Sequence, residues 1–183
     1  MNKSKFTVQK IAYIAVLAAI VCVVTFFRFP LLGSKVHLAN AMCLLSGLLL
    51  GGVPGGLAAG IGSAIFDMLN PLYISEAWIT FLFKGAYGLA AGLVICCGKK
   101  QWGYGRAILS ACAGAAVYAA LYLLKSYFYN GLLLHGLTPD AAWLTVLSKL
   151  PATGFNAAVA IIFAPVLAVA IRTALKKAHI ALE

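Results

Sequence analysis

The chain has 183 residues, of which 63% are hydrophobic and only 10% charged, and its mean hydropathy is +0.99. Soluble globular proteins are about half apolar and about a quarter charged, so a water-soluble enzyme is excluded, and the same hydrophobicity excludes a disordered chain. What fits is a polytopic integral membrane protein: at about 20 apolar residues per span, the length holds five or six helices and leaves no room for a separate soluble catalytic domain.

The first predicted helix covers 9–27. Lysines precede it and an apolar run from Ile11 to Phe27 forms it. This pattern mimics a secretory signal, but the run is too long for an h-region and no small-x-small cleavage site follows. It reads as a retained helix stopped by Pro30. Phe29 to His37 reads as a short loop. Leu38 to Leu69 is apolar except for Gly51-Gly52-Val53-Pro54-Gly55-Gly56, a strong breaker, which predicts two short helices, 38–52 and 55–69, joined by a tight turn. Each is marginal for a full span. A loop from Asn70 to Glu76 leads into a fourth helix over 77–97. A basic loop with Lys99, Lys100 and Arg106 leads into the fifth, 106–129. Asn130 to Asp140 is a loop, and 141–175 holds the sixth helix, starting as a separate turn before Pro151. The whole chain reads as one transmembrane domain.

Fourteen Lys and Arg face four acids, for a net charge of +10. With six helices, one side holds Lys3, Lys5, Lys10, Lys99, Lys100, Arg106, Arg172, Lys176 and Lys177, and no acid but the terminal Glu183. The other side holds Arg28 and Lys35 against Glu76 and Asp140. This asymmetry predicts both termini in the cytoplasm. No basic run or aromatic-basic interleaving points to nucleic acid. The five cysteines are scattered through apolar segments, as small buried hydrophobes are, not as a disulfide framework or metal site.

Small residues recur every four positions: Ala15 and Ala19; Gly52, Gly56 and Gly60; Gly88 and Gly92; Ala107, Ala111, Ala115 and Ala119. Such stripes let helix backbones approach closely in lipid. Packing within the chain is the default reading, with docking of a partner membrane protein open for at least one of them.

Polar groups at membrane depth are costly and face a cavity or a partner. His37, Asn40, Asp67, Asn70, Lys84, Lys125, Tyr129, Lys149 and Asn156 all fall in the outer half, which predicts an outward-facing polar site. Each has a plainer reading. Lys125 snorkels, Lys149 is interfacial, and Lys84 pairs internally with Asp67. Tyr73, Trp78, Tyr127, Tyr129 and Trp143 form an interfacial belt or stack on a flat ring.

Catalytic and energising motifs are missing. There is no His-Glu-x-x-His, no Gly-x-Ser-x-Gly and no pair of intramembrane carboxylates, and no metal site. Cys97-Gly98-Lys99-Lys100 only echoes a phosphate-binding loop, because Lys100 stands where Ser or Thr is needed. Any ATP is hydrolysed by another chain.

The run Val36-His37-Leu38-Ala39-Asn40-Ala41, the Gly-Gly-x-Pro-Gly-Gly break, Ala59-Gly60-Ile61-Gly62-Ser63-Ala64-Ile65-Phe66-Asp67, the stretch Thr80 to Gly92 and Pro151 to Asn156 together resemble the substrate-binding S components of energy-coupling factor (ECF) vitamin transporters, of the riboflavin type. The resemblance covers essentially the whole chain. It implies an all-α bundle of six transmembrane helices in the plasma membrane of a bacterium. It also implies capture of a vitamin or vitamin-like precursor at the outer face, and delivery by tipping in the membrane with a transmembrane coupling subunit and two cytoplasmic ATPases. Ala15 and Ala19 then map onto the helix-one pair that docks the coupling subunit. His37, Asn40, Asp67, Asn70, Tyr73, Trp78, Lys84, Tyr129, Lys149 and Asn156 map onto the substrate site. No cofactor is implied, since ATP belongs to the partners. The alternative is a small autonomous membrane carrier or channel. Riboflavin, a pyridoxine-like or pyrimidine precursor, and a queuosine precursor all remain open as substrate.

Overall fold

The computed structural model describes residues 7–31, 34–97 and 102–179, with the backbone alone described over 28–31 and 34–37. Six α-helices run through the described residues: α1 (Val8–Phe26), α2 (Ala39–Leu50), α3 (Gly52–Met68), α4 (Ala77–Cys96), α5 (Tyr104–Lys125) and α6 (Pro139–Lys177). Strands β1 (Arg28–Leu31) and β2 (Ser34–His37) join α1 to α2, a 3-10 turn (Ile74–Glu76) precedes α4, and a π-helical stretch (Ser126–Leu134) extends α5.

Four segments are long and apolar enough to cross a membrane: Val8–Phe26, Ile74–Cys96, Tyr104–Leu134 and Pro139–Lys177. The pair α2 and α3 is shorter, at 12 and 17 residues. At 1.5 Å per residue these span about 18 and 26 Å, less than a hydrocarbon core of about 30 Å. The chain breaks between them at Gly51, whose φ of +77° suits a residue without Cβ. Pro54 falls in the first turn of α3, where its missing N–H deprives no carbonyl. The break is thus one residue, narrower than the glycine-rich run suggests.

Helix α2 is buried from Ala39 to Leu49 and packs against each of the other five helices. A helix apolar on all sides belongs inside protein, and α2 is the axis of the bundle. Glycines let its neighbours close on it. A Cβ on Gly55 of α3 would lie 2.6 Å from Gly47 Cα of α2, and one on Gly88 of α4 would lie 2.7 Å from Gly55 O. Three backbones therefore meet without side chains between them. On α5 the stripe Ala107, Ala111 and Ala115 is buried in one core cluster with Ala160, Ala164 and Ala168 of α6. That stripe packs the chain's own bundle. Helix α1 packs on α2 and α3, burying Ile14, Leu17, Ala18 and Val21, while Ala15 and Ala19 lie on its exposed side.

Three segments differ from the sequence reading. The expected loop at 29–37 is an antiparallel hairpin pairing Arg28 with His37 and Pro30 with Lys35; a two-stranded ribbon is all edge and tolerates proline. The expected loop at 130–140 is helical as far as Leu134. The expected separate turn before Pro151 is part of α6, one helix of 39 residues with Pro151 and Pro165 inside it. Within lipid, neighbouring helices and Ser or Thr hydroxyls compensate the carbonyls a proline frees. Thr145 Oγ1 donates to Ala141 O at 3.1 Å and Thr153 Oγ1 to Lys149 O at 2.8 Å, so both hydroxyls are spent on the helix's own backbone on either side of Pro151. At about 58 Å, α6 is far longer than the hydrocarbon core, and its early turns pack on the π-helical stretch.

The bundle has two distinct ends. At one, Arg172 Nη2 donates to Leu49 O at 3.4 Å, Arg106 Nη2 donates to Val94 O at 3.3 Å, and Arg172 lies 4.7 Å from the Trp102 ring centroid. These arginines serve the last turns of α2 and α4, where carbonyls run out of intrahelical donors. The hairpin, the 3-10 turn and the π-helical stretch occupy the opposite end.

Candidate functional site

Polar residues gather toward the hairpin end. Lys84 of α4 is buried, only 7% exposed. Its ammonium donates to Asn40 Oδ1 in the first turn of α2 and lies 4.0 Å from the Tyr118 ring centroid and 5.7 Å from that of Tyr87. Tyr87 and Tyr118 stack with centroids 4.8 Å apart and planes 11° from parallel. Tyr122 continues the ladder one turn on, 6.0 Å from Tyr118. Spacings of three and four bring such residues to one helix face: Tyr118, Tyr122, Lys125 and Tyr129 follow that pattern.

Two more lysines flank the ladder. Lys149 Nζ of α6 lies 5.8 Å from the Tyr122 ring centroid and donates to Ser126 Oγ at 3.2 Å. Lys125 Nζ pairs with Glu76 Oε2 at 2.5 Å and lies 5.8 Å from the Tyr129 ring centroid. Glu76 and Lys125 are electrostatic neighbours of Lys149, and Glu76 and Tyr73 are neighbours of Tyr122. The 3-10 turn, α2, α4, α5, the π-helical stretch and α6 thus converge on one network of ammonium groups and aromatic faces. Cation–π contact of this kind holds cations and flat rings together in a desolvated setting.

Among the buried polar atoms with no hydrogen-bond partner in the described residues are the Tyr87 hydroxyl and Asn130 Oδ1. An unsatisfied buried group costs about 1–3 kcal/mol. Asn130 stands in the π-helical stretch, and such departures from the α-helix concentrate at functional sites.

Of the residues expected from sequence, Asn40, Lys84, Tyr73, Tyr129 and Lys149 join this network. Asn156 is buried on α6, seven residues from Lys149 and so on the same face. Lys84 takes Asn40, not Asp67, as its partner; Asp67 is half-buried in the last turn of α3. Asn70 Oδ1 accepts from Leu72 N at 3.1 Å and shapes the turn itself. Trp78 is 61% exposed on α4, as an interfacial anchor is, and so is Trp143 at 56%. The His37 side chain lies outside the described residues. Lys125 ion-pairs instead of snorkelling. Sequence reading missed Tyr87, Tyr118, Tyr122, Ser126 and Asn130. The three-and-four spacing of tyrosines on α5 was the available signal, and it was hidden because tyrosine is also an ordinary membrane-helix residue.

The model of the family described as the ECF-type riboflavin transporter, S component, matches residues 5–173. A relative from Pyrococcus woesei, named as an uncharacterized protein in gap 3'region, is 32% identical over 106 residues, which cover 57% of this chain and 68% of the relative. The family match reaches into all six helices and contains every residue of the network above. The chain is therefore a multi-pass membrane transport component, not an enzyme, and it belongs to the family of ECF-type riboflavin transporter S components.

Proposed function

We propose that this protein captures a flat, vitamin-like molecule at the hairpin end of the bundle, facing the cell exterior, and passes it inward with a transmembrane coupling subunit and two cytoplasmic ATPases. The observation that carries this reading is the convergence of Lys84 and Lys149 on the Tyr87–Tyr118–Tyr122 ladder, with Lys125 over the Tyr129 ring beside it, at the end opposite Arg106 and Arg172. Rings offer stacking faces and the ammonium groups offer donors, which is the chemistry a heterocycle with polar edges needs. In this reading Asn40, Asn156, Tyr73 and Tyr129 line or support the site, and Asp67, Asn70, Trp78 and His37 border it. Ala15 and Ala19, exposed on α1, dock the coupling subunit through close backbone approach. ATP turnover in the partners tips the bundle. The membrane is the cell membrane of a prokaryote; the archaeal relative gives no preference for a bacterium.

An autonomous oligomeric carrier built on the α5 alanine stripe is disfavoured, because Ala107, Ala111 and Ala115 are buried within the chain itself. Co-purification tests the choice. The proposal expects a coupling subunit and ATPases to come down with the tagged chain, and a small aromatic molecule to appear in its native mass spectrum. A chain that supports uptake in vesicles with no other protein present overturns it.

A further inference from the structure

Among the described residues, the cations around the tyrosine ladder outnumber the carboxylates that form ion pairs with them. Glu76 is committed to Lys125 at 2.5 Å. Lys84 has the neutral amide of Asn40, and Lys149 has the neutral hydroxyl of Ser126 at 3.2 Å. Neither forms an ion pair with a carboxylate among the described residues. Ionisable side chains in transmembrane segments usually pair with an opposite charge or serve a ligand.

The two differ in access. Lys84 is 7% exposed and closed in by Asn40 and the face of Tyr118. Lys149 is only half-buried, and Ser126 uses one of the three donors an ammonium carries. Lys125 and Glu76 stand beside it, and their own charges cancel as a pair. What remains here among the described residues is the accessible positive charge of Lys149 next to the Tyr122 ring.

We infer that the ligand is a flat aromatic molecule carrying an anionic oxygen group, a carboxylate or a phosphate, with the anion held by Lys149 and the ring laid against Tyr118 and Tyr122. This rests on the capture reading and narrows it to a chemical class. Stacking alone accepts any planar ring. The unmatched ammonium favours the acid over its neutral counterpart, because binding the neutral form leaves the charge unanswered.

The test uses the full chain in nanodiscs and isothermal titration with matched pairs: riboflavin 5′-phosphate against riboflavin, orotate against uracil, and nicotinate against nicotinamide. In at least one pair the acid binds about tenfold or more tighter than its partner. Lys149→Gln brings that pair to within about twofold of each other by weakening the acid far more than the neutral member, while Lys176→Gln at the far end leaves the preference intact. Native mass spectrometry of the protein as purified then finds an anionic aromatic ligand. Nanodiscs of phosphatidylcholine and of phosphatidylglycerol give the same preference, whereas its disappearance in the anionic lipid assigns Lys149 to a headgroup phosphate and overturns the inference. Tighter binding of the neutral member in every pair, an acid preference that survives Lys149→Gln, or a neutral co-purifying ligand overturns the anion while leaving capture standing. No binding by any compound and no co-purifying molecule overturn capture itself.

Discussion

Lys84 and Asn40 are partners across the α2–α4 contact: the ammonium donates to the amide oxygen while the Tyr118 ring lies 4.0 Å away on its other side. One buried side chain thereby ties three helices together near the end where the polar network collects. Removing the amide leaves an ammonium buried with a ring alone to answer it. Asn40→Ala is expected to lower stability by about 2–3 kcal/mol. Lys84→Met keeps the length and removes the charge, so the double variant Asn40→Ala/Lys84→Met is more stable than Asn40→Ala alone. Melting curves read by fluorescence-detected size exclusion decide this, and strictly additive losses would show that the two side chains do not act as a pair. Lys84→Ala is expected to fold and to bind ligand more weakly in calorimetry; unchanged affinity would remove Lys84 from the site.

Gly88 allows α4 to touch α3 backbone to backbone. A Cβ there would sit 2.7 Å from Gly55 O and 3.0 Å from Ala59 Cβ, with no flexible side chain to give way. Gly88→Ala is expected to cost about 1–3 kcal/mol and to broaden the size-exclusion peak. Gly105 near the start of α5 has nothing within 4 Å, so Gly105→Ala is expected to be neutral or to stabilise by up to about 0.5 kcal/mol. Equal effects at both sites would refute the close-approach account.

Helix α1 separates two faces one residue apart. Ala18 is 4% exposed and Ala15 and Ala19 are exposed. Ala18→Trp is expected to abolish a folded monodisperse protein. Ala15→Trp and Ala19→Trp are expected to fold and bind ligand normally but to block uptake in cells that carry the coupling subunit and ATPases. Loss of ligand binding in the latter two would count against a docking role for that face.

The Lys125–Glu76 pair is only partly shielded, at 12% and 21% exposure. Its contribution is therefore modest. Glu76→Gln is expected to lower stability by about 1 kcal/mol and to make the melting temperature less sensitive to salt, because the lost term is the screened one. Melts at about 0.05 M and 1 M sodium chloride, about 14 Å and 3 Å in Debye length, measure it; an unchanged salt response would mean the pair adds nothing.

Much of the architecture was legible before any coordinates. The apolar runs marked each helix, and the glycine-rich run 51–56 marked the division of 38–69 into two short ones, which the structure narrows to Gly51. The hairpin was not legible, since the strands of β1 and β2 are four residues each and carry Pro30. The continuity of α6 through Pro151 was not legible either. Proline breaks an isolated helix, whereas the neighbours packed against α6 sustain this one. Within the site, the lysines stood out because charge is rare in lipid. The tyrosine ladder and Asn130 did not, because their residue types are common in membrane helices and their meaning comes from what they face.

Composition and segment hydropathy alone determined that this chain is a membrane bundle, because lipid and water act on each segment separately and need no knowledge of its neighbours. Which polar groups meet was decided only by the tertiary structure. Lys84 finds Asn40 and not Asp67, and Lys125 finds Glu76, because partner choice depends on the rotation and depth of each helix. Those are set by contacts such as Gly47, Gly55 and Gly88, which bring together three helices that no local pattern relates.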